Sequence, residues 1–356
     1  MMNLLRVEKK SESGMSRIYD ARGNVYAVVT PQTLRAMGIP LPESVETAAS
    51  SRRDWTGLAV QQVCALEERS LNASGNTHST DGLLVGPFQD AAPFDLLIVN
   101  TDGTLAERSG NGLTIFAQAL TDQGLVSNEQ PFTLRVHHDK TDAASPVQTW
   151  VQSTTMGGVA GFWLDLGRPQ FGPEAVSAQG PGVSAAMFMG APVNRVERLS
   201  DIDEAWSQSV FVRIGNPHCV TLVCAPEHLP SFARLQTPDL HQALARIAFS
   251  DGDVGLGDPC AAGVNLQWAS VTDPNRIEAR VFERGEGATA SSGTSASAVA
   301  CAAWKAGRIQ AGLVEVVMPG GTAPIRLTGD EHTLSNVALF GVARPAVQSL
   351  SSQTGK

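Results

Sequence analysis

The chain is short of positive charge. Its 26 Lys and Arg residues face 35 Asp and Glu, a formal net charge of −9. Nucleic acids and anionic membrane surfaces need clustered basic side chains, so neither partner is expected. The chain also lacks any apolar run near the ~18 residues that a bilayer span requires. The N-terminus, MMNLLRVEKKSESGMSRIYD, is charged where a secretory signal would be apolar. No export signal is read there, Met15 is an alternative start, and a cytoplasmic location is expected. Cysteine is sparse: Cys64, Cys219, Cys224, Cys260 and Cys301 follow no zinc or disulfide spacing. An odd, scattered set suits a reducing compartment, with most of the five read as small buried hydrophobes.

What is present is a large globular core. At 356 residues and 42% hydrophobic composition, the chain exceeds a typical domain of roughly 100–200 residues, so two domains are expected. Residues 1–15 read as a flexible tail. Residues 17–29 read as a strand and turn around Arg22-Gly23-Asn24, and 31–80 as a long irregular loop, with the polar run Ser70-Leu71-Asn72-Ala73-Ser74-Gly75-Asn76 inside it. Strands are expected at 82–85, 95–99, 132–137, 149–152, 161–166, 210–214 and 336–342. Residues 172–208, rich in Gly, Pro, Ser and Ala, read as loops with one short helix.

One design occurs twice. After the strand at 95–99 come a turn, Asn100-Thr101-Asp102-Gly103, then Ser109-Gly110-Asn111-Gly112. A helix follows whose apolar residues Leu113, Phe116, Ala117 and Leu120 sit at i, i+3, i+4 and i+7, with Gly124 as its stop. Later, Ile277, Ala279 and Val281 alternate with Arg276, Glu278 and Arg280 in a half-buried strand. A turn follows, Glu283-Arg284-Gly285-Glu286-Gly287, then Ser291-Ser292-Gly293-Thr294-Ser295 opens a second helix carrying Ala296, Val299, Ala300 and Ala303, with Gly307 as its stop. Two distant copies indicate a duplicated domain rather than a solenoid. A helix N-terminus offers unsatisfied N–H groups and a partial positive charge, and glycine there lets a ligand approach the backbone. A carboxylate suits such a site. Ordinary serine capping accounts for either helix alone, and the repetition favours a binding role.

These motifs resemble the diaminopimelate epimerase family. Asn100-Thr101-Asp102-Gly103-Thr104 with Ala106-Glu107-Arg108-Ser109-Gly110-Asn111-Gly112 is similar to that family's N-x-D-G-S…A-E-x-C-G-N-G. Glu283-Arg284-Gly285-Glu286-Gly287-Ala288-Thr289-Ala290-Ser291-Ser292-Gly293-Thr294 is similar to E-R-G-x-G-E-T-x-A-C-G-T/S, and Gly215-Asn216-Pro217-His218-Cys219-Val220 to G-N-P-H-C-V. Val264-Asn265 and Gly23-Asn24 match two further pairs, and the five matches run in order from about residue 17 to 345. The resemblance implies an α/β (α+β) fold of two pseudo-symmetric domains, each a β-barrel-like sheet around a central helix, with the site between them. The domains are expected at 16–128 plus 337–350 and at 129–336.

The resemblance further implies an isomerase, an amino-acid epimerase of lysine biosynthesis in its family form, with no cofactor and no metal. Its partner is a small amino acid or carboxylate substrate, and a homodimer is the candidate assembly. Asn24, Asn100, Asn216, Asn265, Glu283 and Arg284 match residues that hold substrate. The backbone at Gly110, Asn111, Gly293 and Thr294 matches the carboxylate site, and His218 and Glu283 match supports of the catalytic pair. Amides can read amino and carboxylate groups, and a guanidinium can grip a distal carboxylate bidentately.

The departure is at the catalytic pair itself. The family has two cysteines, and here Ser109 and Ser292 stand in those places. A free thiol titrates near ~8.5 and a helix N-terminus lowers it. The same dipole, worth about 0.3–2 kcal/mol, cannot make serine a resting alkoxide. A serine base needs a neighbouring base, and His218 and Glu107 are the candidates. Ala288 also stands where the second signature has Glu. Beside the epimerase, two readings therefore stay open: a double-bond isomerase of small unsaturated carboxylic acids on the same fold, and a catalytically silent ligand-binding relative.

Overall fold

The computed structural model describes residues 16–65, 78–127, 130–141, 143–178, 182–249 and 259–346. The expected tail at 1–15 and the polar run at 70–76 lie outside them.

Two series of strands are built to one plan. The first opens with a hairpin, Arg17–Ala21 and Asn24–Val29, reversed by Arg22 and Gly23 with φ of 55° and 81°. Positive φ at both turn residues is what a two-residue hairpin demands, and glycine takes it without strain. The hairpin's second strand pairs in parallel with Gly82–Val85, which pairs antiparallel with Phe94–Asn100. The helix Gly110–Asp122 leads to Phe132–Val136, parallel to Phe94–Asn100, and then to antiparallel Val147–Met156 and Val159–Gly167.

The second series repeats each step. Ser209–Ile214 and Asn216–Leu222 form a hairpin about Gly215, at φ 73°. Asn265–Asp273 joins in parallel and Arg276–Glu283 antiparallel. The helix Gly293–Lys305 is followed by Gly312–Met318, parallel to Arg276–Glu283, then by antiparallel Gly321–Gly329 and Leu334–Gly341. The last strands of the two series pair with each other, Leu164 opposite Leu339, which joins the halves. Strand pairing bridges the expected division at 128/129, and Leu334–Gly341 runs through the one at 336/337.

Each sheet wraps its helix. Leu113, Phe116, Ala117 and Leu120 are buried, and so are Thr114 and Ile115 on the other side of the same helix. In the second helix every residue from Gly293 to Trp304 is buried. A helix buried all round belongs inside the sheet, and the small residues Ala296, Ala298, Ala300, Ala302 and Ala303 let strands approach closely. Ile277, Ala279 and Val281 are at most 1% exposed, as their alternation requires.

Two expectations are corrected. The stretch from 31 to 63 is not a loop: it holds the helices Pro31–Ala36, Val45–Ser50 and Thr56–Val63, with Trp55 buried among them. The parallel strands on either side need a long crossover, and helices satisfy its backbone. The second series has its counterpart at the same point, in Phe232–Leu235 and Pro238–Ala248. Within 172–208 the chain forms a hairpin, Val183–Phe188 with Ala191–Val196, besides the short helix Glu197–Ile202. Its strands are mostly half-buried or exposed and carry little apolar alternation, so the pattern was hidden. Among the described residues no helix is long and apolar enough to cross a membrane.

Candidate active site

The two central helices meet end to end at their N-termini. A Cβ placed on Gly110 would lie 3.0 Å from the Gly293 Cα, and one on Gly293 would lie 3.2 Å from the Gly110 Cα. Both would also strike Leu339 Cδ2, at 2.7 and 2.5 Å. Only glycine permits this approach. Ser109 and Ser292 are the N-caps: Ser109 Oγ accepts from Gly112 N at 3.0 Å, and Ser292 Oγ from Ser295 N at 3.3 Å. The remaining free N–H groups of both first turns, with two partial positive charges, converge on one place.

That place is a cleft of about 530 Å³, the scale of a small-molecule site. Asn24, Asn100, Ser109, Gly110, Asn111, Asn216, Asn265, Glu283, Arg284, Ser292, Gly293 and Thr294 all line it. His218 does not. It is 0% exposed, its Nδ1 accepting from Gln267 Nε2 at 3.0 Å, and its Nε2 is buried with no partner among the described residues. Burial first, then Arg284 and Arg213, push its pKa down to about 3, so the ring stays neutral behind the cleft wall.

The serine of the second helix has a base beside it. Ser292 Oγ donates to Glu283 Oε1 at 2.7 Å. Glu283 is half-buried, and desolvation raises its carboxyl above the ordinary range, against the pull of hydrogen bonds from Ser292 and Thr289. Glu286 at the mouth is pushed up to about 8, by desolvation first and then by Glu283, Asp81 and Asp102. Because the Glu286 side chain still meets solvent, repulsion from Glu283 is the more durable of these causes. Beside Ser109 lies the Tyr26 phenol, 3% exposed. Desolvation, then Glu286, hold it far above its ordinary value, while its contact with Ser109 acts the other way.

The polar wall is tied together. Arg284 Nη2 donates to Glu107 Oε1 at 3.3 Å and Nη1 to the Ala262 carbonyl at 2.6 Å, and its backbone N–H donates to Asn265 Oδ1 at 2.7 Å. Glu107 is thus engaged by Arg284, and among the described residues it hydrogen-bonds to neither serine. Asn216 Nδ2 donates to the Arg108 carbonyl at 3.2 Å, Asn24 Nδ2 to Asp81 at 3.2 Å and Asn100 Nδ2 to Thr104 Oγ1 at 2.9 Å. Asn111 Oδ1 is buried without a partner among the described residues, an acceptor suited to a substrate N–H. A second chamber of about 530 Å³ shares Asn24, Thr101, Gly285, Glu286 and Ser291 with the cleft, and adds His78, Asp81 and Ala288.

Among the lining residues that the sequence reading did not assign to the site are Tyr26, Glu286 and Lys140. Tyr26 was within reach of it, since a strand puts residue 26 on the same face as Asn24. No cysteine lines the cleft. Cys219 and Cys301 are buried elsewhere, and desolvation raises both thiols, Cys219 to about 12. Among the described residues no group of three His, Cys, Asp or Glu is placed to hold a metal ion. Another cavity, about 640 Å³, lies between Arg52, Arg53, His137 and Asp139, and includes neither repeated motif. Two of its lining groups are already engaged, Arg52 with Asp139 and His137 with Asp95.

The family model described as diaminopimelate epimerase matches residues 210–343. Diaminopimelate epimerase 2 of Nostoc sp. is 30% identical over 317 residues, covering 88% of this chain and 88% of that protein. Two solved structures share the fold. A phenazine biosynthesis protein of the PhzF family from Bacillus anthracis has a TM-score of 0.55 at 14% identity, covering 93% of this chain and 96% of its own. A probable proline racemase from Agrobacterium radiobacter K84 has a TM-score of 0.54 at 12% identity, covering 95% and 94%.

Proposed function

The chain belongs to the diaminopimelate epimerase family, and from that premise we propose that it is a cofactor-independent isomerase that inverts the α-carbon of a small amino acid, with diaminopimelate the first substrate to test. The observation that carries this reading is the 2.7 Å hydrogen bond from Ser292 to Glu283 beside two opposed helix N-termini. The substrate carboxylate rests on the backbone of Gly110, Asn111, Gly293 and Thr294, where both helix ends stabilise charge that spreads onto it when the α-proton leaves. Asn24, Asn100, Asn216, Asn265 and Arg284 hold the amino group and the distal end.

Serine is too weak an acid to rest as an alkoxide, so it works as a relay. Ser292 Oγ takes the α-proton while its own proton passes to the Glu283 carboxylate. The carbon keeps the electron pair, delocalised into the bound carboxylate. His218, neutral and out of the cleft, takes no part in this transfer.

A one-sided reaction, a double-bond shift in an unsaturated acid, is favoured by one observation: Glu283 is the carboxylate hydrogen-bonded to a catalytic-position serine, and Ser109 has no equivalent among the described residues. Proton NMR in heavy water with LL-diaminopimelate separates the readings, run on the native protein and on Ser109→Cys/Ser292→Cys. Loss of the α-proton signal in both, faster in the cysteine form, is the expected result. Exchange in the cysteine form alone would indicate a binding site without native chemistry. Silence in both would remove diaminopimelate.

A further inference from the structure

The two halves share one order of strand pairing, and their registers give Tyr26 a place that the signatures do not. Tyr26 pairs with Gly82 in the first half, and His218 with Asn265 in the second. Gly82 stands opposite Asn100. By the register Leu266↔Phe282, Asn265 stands opposite Glu283. Tyr26 therefore occupies the place of His218, Gly82 that of Asn265, and Asn100 that of Glu283, with Ser109 and Ser292 as the matching caps.

The chemistry is redistributed between these places. In the second half the titratable partner of the serine is the strand-end carboxylate Glu283, and the His218 ring turns to Gln267. In the first half the strand end carries the neutral amide of Asn100, which is bonded to Thr104. The ring at residue 26 reaches the cleft instead. Gly82 makes the room: a Cβ there would sit 2.6 Å from Tyr26 Cε1 and 2.8 Å from the Val99 carbonyl.

We infer that Tyr26 is the proton donor behind Ser109, serving the substrate face opposite Glu283. This rests on the reading of the site given above. Once Ser292 and Glu283 have removed the α-proton, the electron pair on carbon takes a proton from Ser109 Oγ on the opposite face. Ser109 Oγ takes the Tyr26 Oη proton in the same motion. Water at the cleft then returns a proton to the phenolate and accepts one from Glu283. One C–H bond breaks, one forms with inverted geometry, and a solvent proton enters the product. Burial and the carboxylates around the phenol hold it in the protonated form, which a donor needs.

The test compares two rates in heavy water with LL-diaminopimelate: loss of the α-proton by NMR, and formation of the meso isomer by chiral chromatography. Tyr26→Phe keeps the ring over Gly82 and removes only the hydroxyl, and Lys140→Met removes a different donor on the cleft wall. Circular dichroism melting verifies that both fold. The inversion-to-exchange ratio is expected to fall at least about tenfold in Tyr26→Phe, the low end being below a full general-acid effect, and to hold in Lys140→Met. An unchanged ratio in Tyr26→Phe, or a fall in Lys140→Met alone, overturns the inference. Absence of both exchange and inversion in the native protein instead refutes the epimerase reading on which it stands.

Discussion

The two halves of this protein share a plan and differ in what they place behind the serine. The second half buries a carboxylate against Ser292, and the first sets a phenol beside Ser109. Where both members of a catalytic pair are thiols, the helix termini alone can go far toward activating each. Here the acid–base strength must come from neighbours, and a duplicated scaffold offers two different neighbours at equivalent places. The lesson is that symmetry of backbone does not impose symmetry of chemistry. Gly82 leaves the room that the Tyr26 ring fills, where the matching place in the second half carries Asn265.

The largest effect is expected from Glu283→Gln. It keeps the shape and an acceptor for Ser292 but removes the base, so α-proton exchange falls by about 10²-fold or more. The equivalent change in the first half, Asn100→Ala, should act mainly on KM, and the split is read from initial rates. Next comes Gly293→Ala, whose new methyl meets Leu339 and Gly110 across the helix junction. Overpacking of this kind costs about 1–3 kcal/mol, so the melting temperature should drop by several degrees and substrate protection from melting should vanish. Gly307→Ala, at a helix end with nothing near the added methyl, isolates the cost of its φ of 63°.

pH sharpens the contrast further. Glu283 has a raised pKa, so the native protein carries no penalty from it below the ordinary carboxylate range and loses stability as pH climbs through the raised value. Glu283→Gln should therefore melt higher than the native protein at pH 8 and show no such advantage at pH 4. The exchange rate runs oppositely, rising with pH over the same window as the base ionises. His218, held neutral with a pKa of about 3, adds no inflection near 6.5. The smallest effect belongs to Ala288→Glu. It restores the family residue in the second chamber, beside Glu286, and should change KM a few-fold with little change in kcat.

Much of this was legible in the sequence because the motifs carry their own geometry. Ser-Gly before a period-3.6 run marks a capped helix, and the alternation of Ile277, Ala279 and Val281 marks a strand packed on one face. Twelve of the thirteen expected site residues line one cleft for that reason. The helices between 31 and 63 were not legible. They are six to eight residues long, too short for a clear period, and their necessity follows from the parallel pairing of Asn24–Val29 with Gly82–Val85, a long-range fact. The placement of His218 was hidden for a similar reason. Its strand alternates two buried faces, and the neighbouring Gln267 on the next strand decides where the ring turns.

The most direct test of the account is whether Glu283 and Ser292 act as one unit. Exchange of the substrate α-proton in heavy water would be measured for Glu283→Gln, Ser292→Ala and the double variant. Groups in one relay are non-additive, so the double variant should be no slower than the slower single one. Losses that multiply, or a Glu283→Gln form that exchanges at the native rate, would contradict the relay and return the search for the base to the other half of the cleft.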